Sequence, residues 1–472
     1  MSRIVGWLSA VVVFAVVVVM IVVAGIAYNR ENVIVAEAPE VRGVESPLTP
    51  AGGVGAAEGA TGPELAAEVR RVMDSMSSNP ALGDLHGVVS AAATGESLWG
   101  KDEAVAALPA SSMKILTGAA ALLELDHGAR VETKVLRYPG EDSVVLVGAG
   151  DPTLSRSGDG FYDGAASIDD LARQVREATG TAEGAAVGTV YVDASLFGET
   201  FHSTWDRSGI GAGYIAPVEP VMVDGARLSL DREDAPRTDS PAAGAGRALA
   251  DAVGAGTVEV LSDGTGSRFT GQPEVVATVR SAPLIERVRQ MMTESDNVLA
   301  ESLAREVAMA RGGQPTFRGA AAAVRDTLAE HGLQLTGEGD RAAVLADSSG
   351  LSVDNRLSPA HLTTVLGAAA RPLETLPEQD PLRPTVEALR PLLDTLPVAG
   401  VSGTLTGRYS GSEGAGWVRA KTGTLDGSSA LAGYLVTEGG NVLTFALLSI
   451  DAPLLPARAA ADEMATALRG IG

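Results

Sequence analysis

Pro109-Ala110-Ser111-Ser112-Met113-Lys114-Ile115-Leu116-Thr117-Gly118-Ala119-Ala120-Ala121-Leu122-Leu123 is the stretch on which the fold turns. Proline suits the entrance of a helix, where its missing N–H is one of the unpaired donors anyway, and the apolar run behind it predicts a buried helix over residues 113–125. Ser111 then falls at or near the first turn. Lys114, three residues on, shares its helical face, so a hydroxyl and an amine stand side by side at the positive end of a helix.

Amines are scarce in this chain. Of 36 Lys+Arg residues only four are lysine: Lys101, Lys114, Lys134 and Lys421. Arginine does not give up its proton near neutral pH, whereas a lysine desolvated beside another cation does, so a side-chain amine acting as base has to be lysine. Lys421 opens Lys421-Thr422-Gly423-Thr424 at the end of an expected strand over 417–421, which leads into a hairpin with strands at 431–436 and 442–450 around Glu438-Gly439-Gly440. Between the two lysines stands Ser295-Asp296-Asn297, ahead of an expected helix over 298–311. Taken singly, Ser111 and Asn297 read as helix caps. Taken in order, SxxK, SxN and KTG form one constellation for acyl transfer to serine.

The chemistry explains the residue types. A serine hydroxyl is a poor nucleophile until a neighbour takes its proton, and Lys114 reaches it from one turn away once burial and the second cation, Lys421, favour its neutral form. Ser295 is placed to relay a proton to a leaving amine and Asn297 to hold a substrate amide. Thr422 and Thr424 offer donors for a terminal carboxylate, and Gly423 allows close backbone approach. The amides of Ser111 and Thr424 are the expected oxyanion donors.

A net charge of −23 and a pI near 4.6, with no basic run, argue against a nucleic-acid partner. The absence of cysteine removes thiol catalysis and fits an exported enzyme without disulfides. His86, His127, His202, His331 and His361 show no metal-ligand spacing, no GxSxG elbow supports a Ser-His-Asp triad, and nothing implies a metal or cofactor. Residues 4–27 are almost wholly apolar and about one bilayer long, which predicts a membrane anchor over residues 1–29 with the N-terminus inside; a cleaved signal peptide ending near Ala24 to Ala27 is the alternative. Residues 30–62, rich in Ala, Gly, Pro and Glu, read as a flexible tether. Helical spacing over 63–76, a strand over 85–93, strands at 131–137 and 144–148, a turn at 148–154, a helix at 168–178, a strand at 187–193, a loop at 231–246, helices at 285–292, 298–311 and 317–331, and a last helix at 456–468 complete the expectation.

With these motifs the chain resembles the low-molecular-mass class C penicillin-binding proteins, the D-Ala-D-Ala carboxypeptidase/endopeptidase family. Leu108-Pro109-Ala110-Ser111, Gly150-Asp151-Pro152-Thr153-Leu154, Asp193-Ala194-Ser195-Leu196-Phe197, Ala216-Pro217 and Asp347-Ser348-Ser349-Gly350-Leu351-Ser352 carry the likeness, from about Pro63 to the C-terminus. The resemblance implies an α/β (α+β) transpeptidase/β-lactamase-like domain, an antiparallel sheet flanked by helices, formed by 63–154 and 281–472. It also implies a smaller domain inserted at 155–280, since such proteins place extra structure between SxxK and SxN. It further implies peptidoglycan stem peptides as substrate, β-lactams as inhibitors and an acyl-enzyme on Ser111. Two departures stand out. Val353 follows the DSSGLS stretch where the family often has an arginine that meets the diaminopimelate carboxylate, and Gly209, with Asp206 three residues earlier, alters the acidic pair before Ala216-Pro217. These point to a stem peptide whose third side chain lacks a free carboxylate. The competing readings are a β-lactamase, against which stands the lack of an ExxLN-like loop between SDN and KTG, and a wall-binding protein without turnover.

Overall fold

The computed structural model describes residues 62–180, 187–265 and 268–472. The expected anchor and nearly all of the tether lie outside them; among the described residues no helix is long and apolar enough to cross a membrane. The first helix among the described residues, Gly62–Met76, begins one residue before the expected Pro63.

The central sheet is antiparallel, in the order Arg419–Leu425, Ser428–Val436, Val442–Ile450, Asp84–Ala91, Ser97–Lys101. Ser428–Val436 and Val442–Ile450 are buried at every residue but Val436, Val442 and Ile450, which is why they read as continuous apolar runs rather than alternating ones: both faces are covered. On one face Leu65, Val69 and Met73 of the first helix and Met464, Ala465 and Leu468 of the last, Leu454–Arg469, close a core with Leu431, Leu435, Leu443, Phe445 and Leu447. Against the other packs Pro359–Ala370.

The Lys114–Glu124 helix is buried from Lys114 through Leu122, touched by the helices Leu284–Thr293, Asn297–Ala310, Phe317–Glu330 and Arg383–Asp394. A helix apolar on nearly every side is stable only with neighbours all round, and here it is the axis of the helical half. Ahead of it Ala110–Met113 forms a 3₁₀ turn, with Ala110 at a φ of 47°.

A second sheet, Thr257–Leu261, Thr189–Asp193, Ser143–Val147, Glu132–Arg137, Glu274–Arg280, is mixed: its first three strands are parallel and Glu132–Arg137 runs antiparallel to both neighbours. It has its own core, Val144, Leu146, Val190 and Val192 against Ile168, Leu171, Ala245 and Leu249 of two covering helices. Two of its strands lie before residue 155. Three local expectations are corrected. Asp151–Leu154, read as a turn, is a short strand pairing in parallel with Val221–Val223. The loop expected over 231–246 ends early, because Pro241 at the first helical turn starts the helix Pro241–Val253. The strand expected to stop at Lys421 continues through Leu425, so Thr422, Gly423 and Thr424 are sheet residues paired with Leu431, Ala430 and Ser429.

Phe445 is fully buried in the middle of the central sheet. Phe445→Ala is expected to lower stability by about 3–5 kcal/mol, read from the urea midpoint, while leaving the second sheet's own aromatic contacts in place.

Candidate functional site

The three motifs, remote in sequence, meet beside Arg419–Leu425, the edge strand of the central sheet. Lys114 Nζ donates to Ser111 Oγ at 2.9 Å, to Asn297 Oδ1 at 2.6 Å and to the Ser349 carbonyl at 2.7 Å. Lys421 Nζ donates to Ser295 Oγ at 2.8 Å and to the Thr422 carbonyl at 3.0 Å. Both lysines are wholly buried, whereas Ser111, Ser295 and Asn297 are half-buried, so hydroxyls and amide form the accessible lining and amines the dry floor. Asn297 Nδ2 donates to the Tyr214 carbonyl at 2.9 Å.

Burial pulls the Lys114 amine down from its ordinary value to about 8, against the counter-pull of Asp347, Asp296, Glu301 and Glu233. Burial, and then repulsion by Lys114, hold Lys421 well below its ordinary value, opposed by Glu233 and Glu294. Two amines that feel one another titrate as a pair, and this one gives up a proton far more readily than two exposed lysines would.

The 3₁₀ turn that carries Ser111 is locked by close backbone approach. A Cβ on Gly423 would lie 2.7 Å from the Pro109 carbonyl, and one on Gly350, at a φ of 87°, 1.9 Å from that of Ala110. Only glycine lets the KTG strand and the Asp347–Leu351 stretch touch the nucleophile's turn. Gly423 thus serves approach between chain segments, not only approach by a ligand.

The hydroxyls expected to meet a carboxylate have protein partners as well. Thr422 Oγ1 donates to Thr404 Oγ1 at 2.8 Å, and Thr424 Oγ1 accepts from Arg458 Nη2 at 2.6 Å, which brings a guanidinium from the last helix to the end of the KTG strand. Arg458 carried no sequence signal, being an ordinary helical arginine far from any motif.

Sequence reasoning also missed what the middle residue of Ser295-Asp296-Asn297 does. Asp296 caps the Asn297–Ala310 helix by accepting from Leu299 N at 2.9 Å, and its other oxygen accepts from Arg227 at 2.8 Å, Arg237 at 3.1 Å and the Tyr162 hydroxyl at 2.8 Å. Burial would raise its carboxyl, yet Arg237 and Arg227 overwhelm that and hold it far below the usual carboxylate range. Arg227 and Arg237 also brace Asp224-Gly225-Ala226, three successive residues with positive φ, through the Asp224 and Gly225 carbonyls. Ser295 itself sits at a φ of 55°, an uncommon conformation that persists only where surroundings over-determine it. The histidines bond elsewhere: His86 to Asp84, His127 to the Leu122 carbonyl, His202 to Thr204, His331 to the Thr327 carbonyl and His361 within its own helix cap.

A buried lysine paired with a serine on one helix start, faced by a second lysine and serine across a sheet edge, defines a serine acyl-transfer enzyme of the penicillin-recognising class. Comparison with known proteins agrees. The D-Ala-D-Ala carboxypeptidase 3 (S13) family matches over residues 69–236 and 229–469. A carboxypeptidase DacB of Mycolicibacterium smegmatis is 46% identical over 84% of this chain and 82% of its own length, and a carboxypeptidase of Mycobacterium tuberculosis 42% identical over 89% and 88%. Among solved structures, penicillin binding protein 4 of Haemophilus influenzae shares the fold with a TM-score of 0.65 at 20% identity, over 84% of this chain and 97% of that one. The chain belongs to the D-Ala-D-Ala carboxypeptidase 3 (S13) family.

Asp296→Ala leaves two guanidinium groups buried without their carboxylate, and a loss of about 3–5 kcal/mol is expected on urea unfolding. Acylation by a β-lactam should fall with it in the fraction that remains folded, because Ser295 and Asn297 flank the lost anchor.

Proposed function

We propose that this chain is a serine-type D-Ala-D-Ala carboxypeptidase acting on peptidoglycan stem peptides through an acyl-enzyme on Ser111, with DD-endopeptidase activity as the companion reaction. The contact that carries the reading is the 2.9 Å approach of the Lys114 amine to Ser111 Oγ, within a pair of buried amines. Ser111 Oγ attacks the carbonyl carbon between the two D-alanines and Lys114 takes its proton. The oxyanion is received by the backbone amides of Ser111 and Thr424. Ser295, held by Lys421, passes a proton to the departing amine as the C–N bond breaks and is restored by the proton Lys114 took from Ser111. Lys114, neutral once more, takes a proton from the water that attacks the ester and returns it to Ser111 Oγ as the C–O bond breaks. Asn297 holds the peptide amide, and the Thr422 and Thr424 hydroxyls, with Arg458 beside the latter, take the terminal carboxylate. A β-lactam enters by the same attack, but its leaving amine stays tethered.

Ser111→Ala is expected to abolish labelling by a fluorescent penicillin and release of D-alanine from a pentapeptide, followed by mass spectrometry; turnover by the variant would refute the nucleophile. Because the base works unprotonated, the acylation rate should rise as pH climbs through about 8, the value to which burial brings Lys114.

Val353 supports a stem peptide with an uncharged third side chain. It is exposed, and the nearby arginine, Arg356, is tied to the Val353 and Asn355 carbonyls at 2.8 and 2.7 Å. A pentapeptide carrying amidated diaminopimelate should be cleaved faster, through a lower KM, than the free-acid peptide; equal kcat/KM would refute this.

We further propose that the inserted unit comprises the second sheet and its covering helices, including the strands at 132–137 and 143–147. The apolar stretch 4–27 supports an anchor holding the catalytic domain outside the cytoplasmic membrane, where the substrate lies.

A further inference from the structure

Behind the reactive pair lies a carboxyl that the reaction above does not use. Glu301 stands one helical turn beyond Asn297 and is completely buried. Its Oε1 accepts from two successive backbone amides, Ser348 at 3.0 Å and Ser349 at 2.7 Å. The carbonyls of the same two residues face the other way, toward the nucleophile's helix: Ser348 accepts from Thr117 Oγ1 at 2.6 Å and Ser349 from Lys114 Nζ at 2.7 Å. Residues 348–349 are therefore a strap between Glu301 and the Lys114 helix: the Ser348–Ser349 peptide joins Glu301 to Thr117, and the Ser349 carbonyl that takes Lys114 belongs to the next peptide, whose N–H donates to Asp347 Oδ1. A negative charge buried directly behind these carbonyls favours an ammonium group in front of them over a neutral amine, and Glu301 is among the acids that raise the proton affinity of Lys114.

What distinguishes Glu301 from the other acids around Lys114 is how its charge is met. Asp296 is matched by Arg227 and Arg237. Asp347 is shared among the Trp205 indole, the Asn355 amide and the backbone N–H groups of Gly350 and Ser352. Glu233 lies in an exposed stretch and acts on both lysines, and desolvation, then Glu294 and Asp296, push its carboxyl up to about 7 as well, so its charge has to be removed separately in any test. Glu301 hydrogen-bonds only to the strap, its Oε2 being buried without a hydrogen-bond partner among the described residues, and the cation that opposes its burial is Arg305. Arg305, one turn further, lies between the rings of Phe197 and Phe317 with Nε and Nη1 equally unpartnered. Burial, then repulsion from Asp347, pushes the Glu301 carboxyl up to about 7, so it changes charge just below the range in which Lys114 changes its own.

We propose that Glu301 is a positioning residue which fixes, through the Ser348–Ser349 strap, the carbonyl that holds Lys114, and which raises the proton affinity of that amine by its own buried charge. It never touches the substrate. This rests on Lys114 being the base, and it deepens that reading: the base is tuned from behind by a second buried acid, so its proton affinity rises as Glu301 ionises.

The chain's four lysines make a direct test practical. With ¹³Cε-labelled lysine, a Lys114→Met sample assigns the Lys114 signal, which is then titrated in wild type, Glu301→Gln and Glu233→Gln. Both strap amides bond one oxygen of Glu301, so glutamine keeps that acceptor and removes only the charge. The Lys114 midpoint should fall in Glu301→Gln by on the order of half a unit to one unit, the ordinary spread that neighbours impose in folded proteins. The acid limb of acylation by a chromogenic β-lactam should move to lower pH by the same amount. An unchanged midpoint in folded Glu301→Gln overturns the proposal. Should that variant not fold, wild type and Glu233→Gln decide: both must show a second, smaller step in the Lys114 curve near pH 7, and a step missing from either overturns it. A shifted Lys114 midpoint with an unmoved acylation profile leaves the Glu301 coupling standing and refutes Lys114 as the base instead.

Discussion

Two ammonium groups kept away from water at one point are costly, and everything around this cleft answers to that cost. Lys114 and Lys421 are wholly buried, and each is satisfied by oxygens from elements far apart in the chain: a serine hydroxyl, an asparagine amide and the Ser349 carbonyl for one, Ser295 and the Thr422 carbonyl for the other. A buried lysine without such partners would shed its proton or pull water in. Here desolvation lowers proton affinity while the acceptors preserve geometry, which is what a base at neutral pH requires.

The cost is shared between two architectures. The helical half supplies Ser111, Lys114 and Asn297 from helix starts, and the sheet supplies Lys421 from an edge strand whose register is fixed over seven residue pairs. Loops of the long interval between the first two motifs supply the third contribution. Tyr162, Arg227 and Arg237 reach under Ser295-Asp296-Asn297 and bind its middle carboxylate, so that interval belongs mechanically to the catalytic cleft.

The elements legible in the sequence were those written in a single period or bounded by punctuation. The buried helix after Pro109, the helices at 297–310 and 317–330 and the hairpin around Glu438-Gly439-Gly440 follow from apolar runs, proline and glycine. The reactive groups were legible because lysine is rare here and each motif stood at an element boundary. The Asp296 cage was not, since Arg227 and Arg237 sit in a stretch of Gly, Asp and Pro with no period, and only left-handed turns at 224–226 aim them inward. Nor was Glu301: a glutamate inside a helix reads as a solvated face until the tertiary structure buries it. The strand Asp151–Leu154 was hidden by its proline and shortness.

The central sheet carries one more implication, for the order of assembly. Asp84–Ala91 lies between Ser97–Lys101 and Val442–Ile450, so an early hairpin stays an open template until the last part of the polypeptide arrives to zip along it. If the chain crosses a membrane as an unfolded thread, that hairpin emerges first and waits. During the wait its bare edge invites mispairing, and charged Asp84, Lys101, Asp102 and Glu103 at its ends are residues of the kind that keep such edges apart.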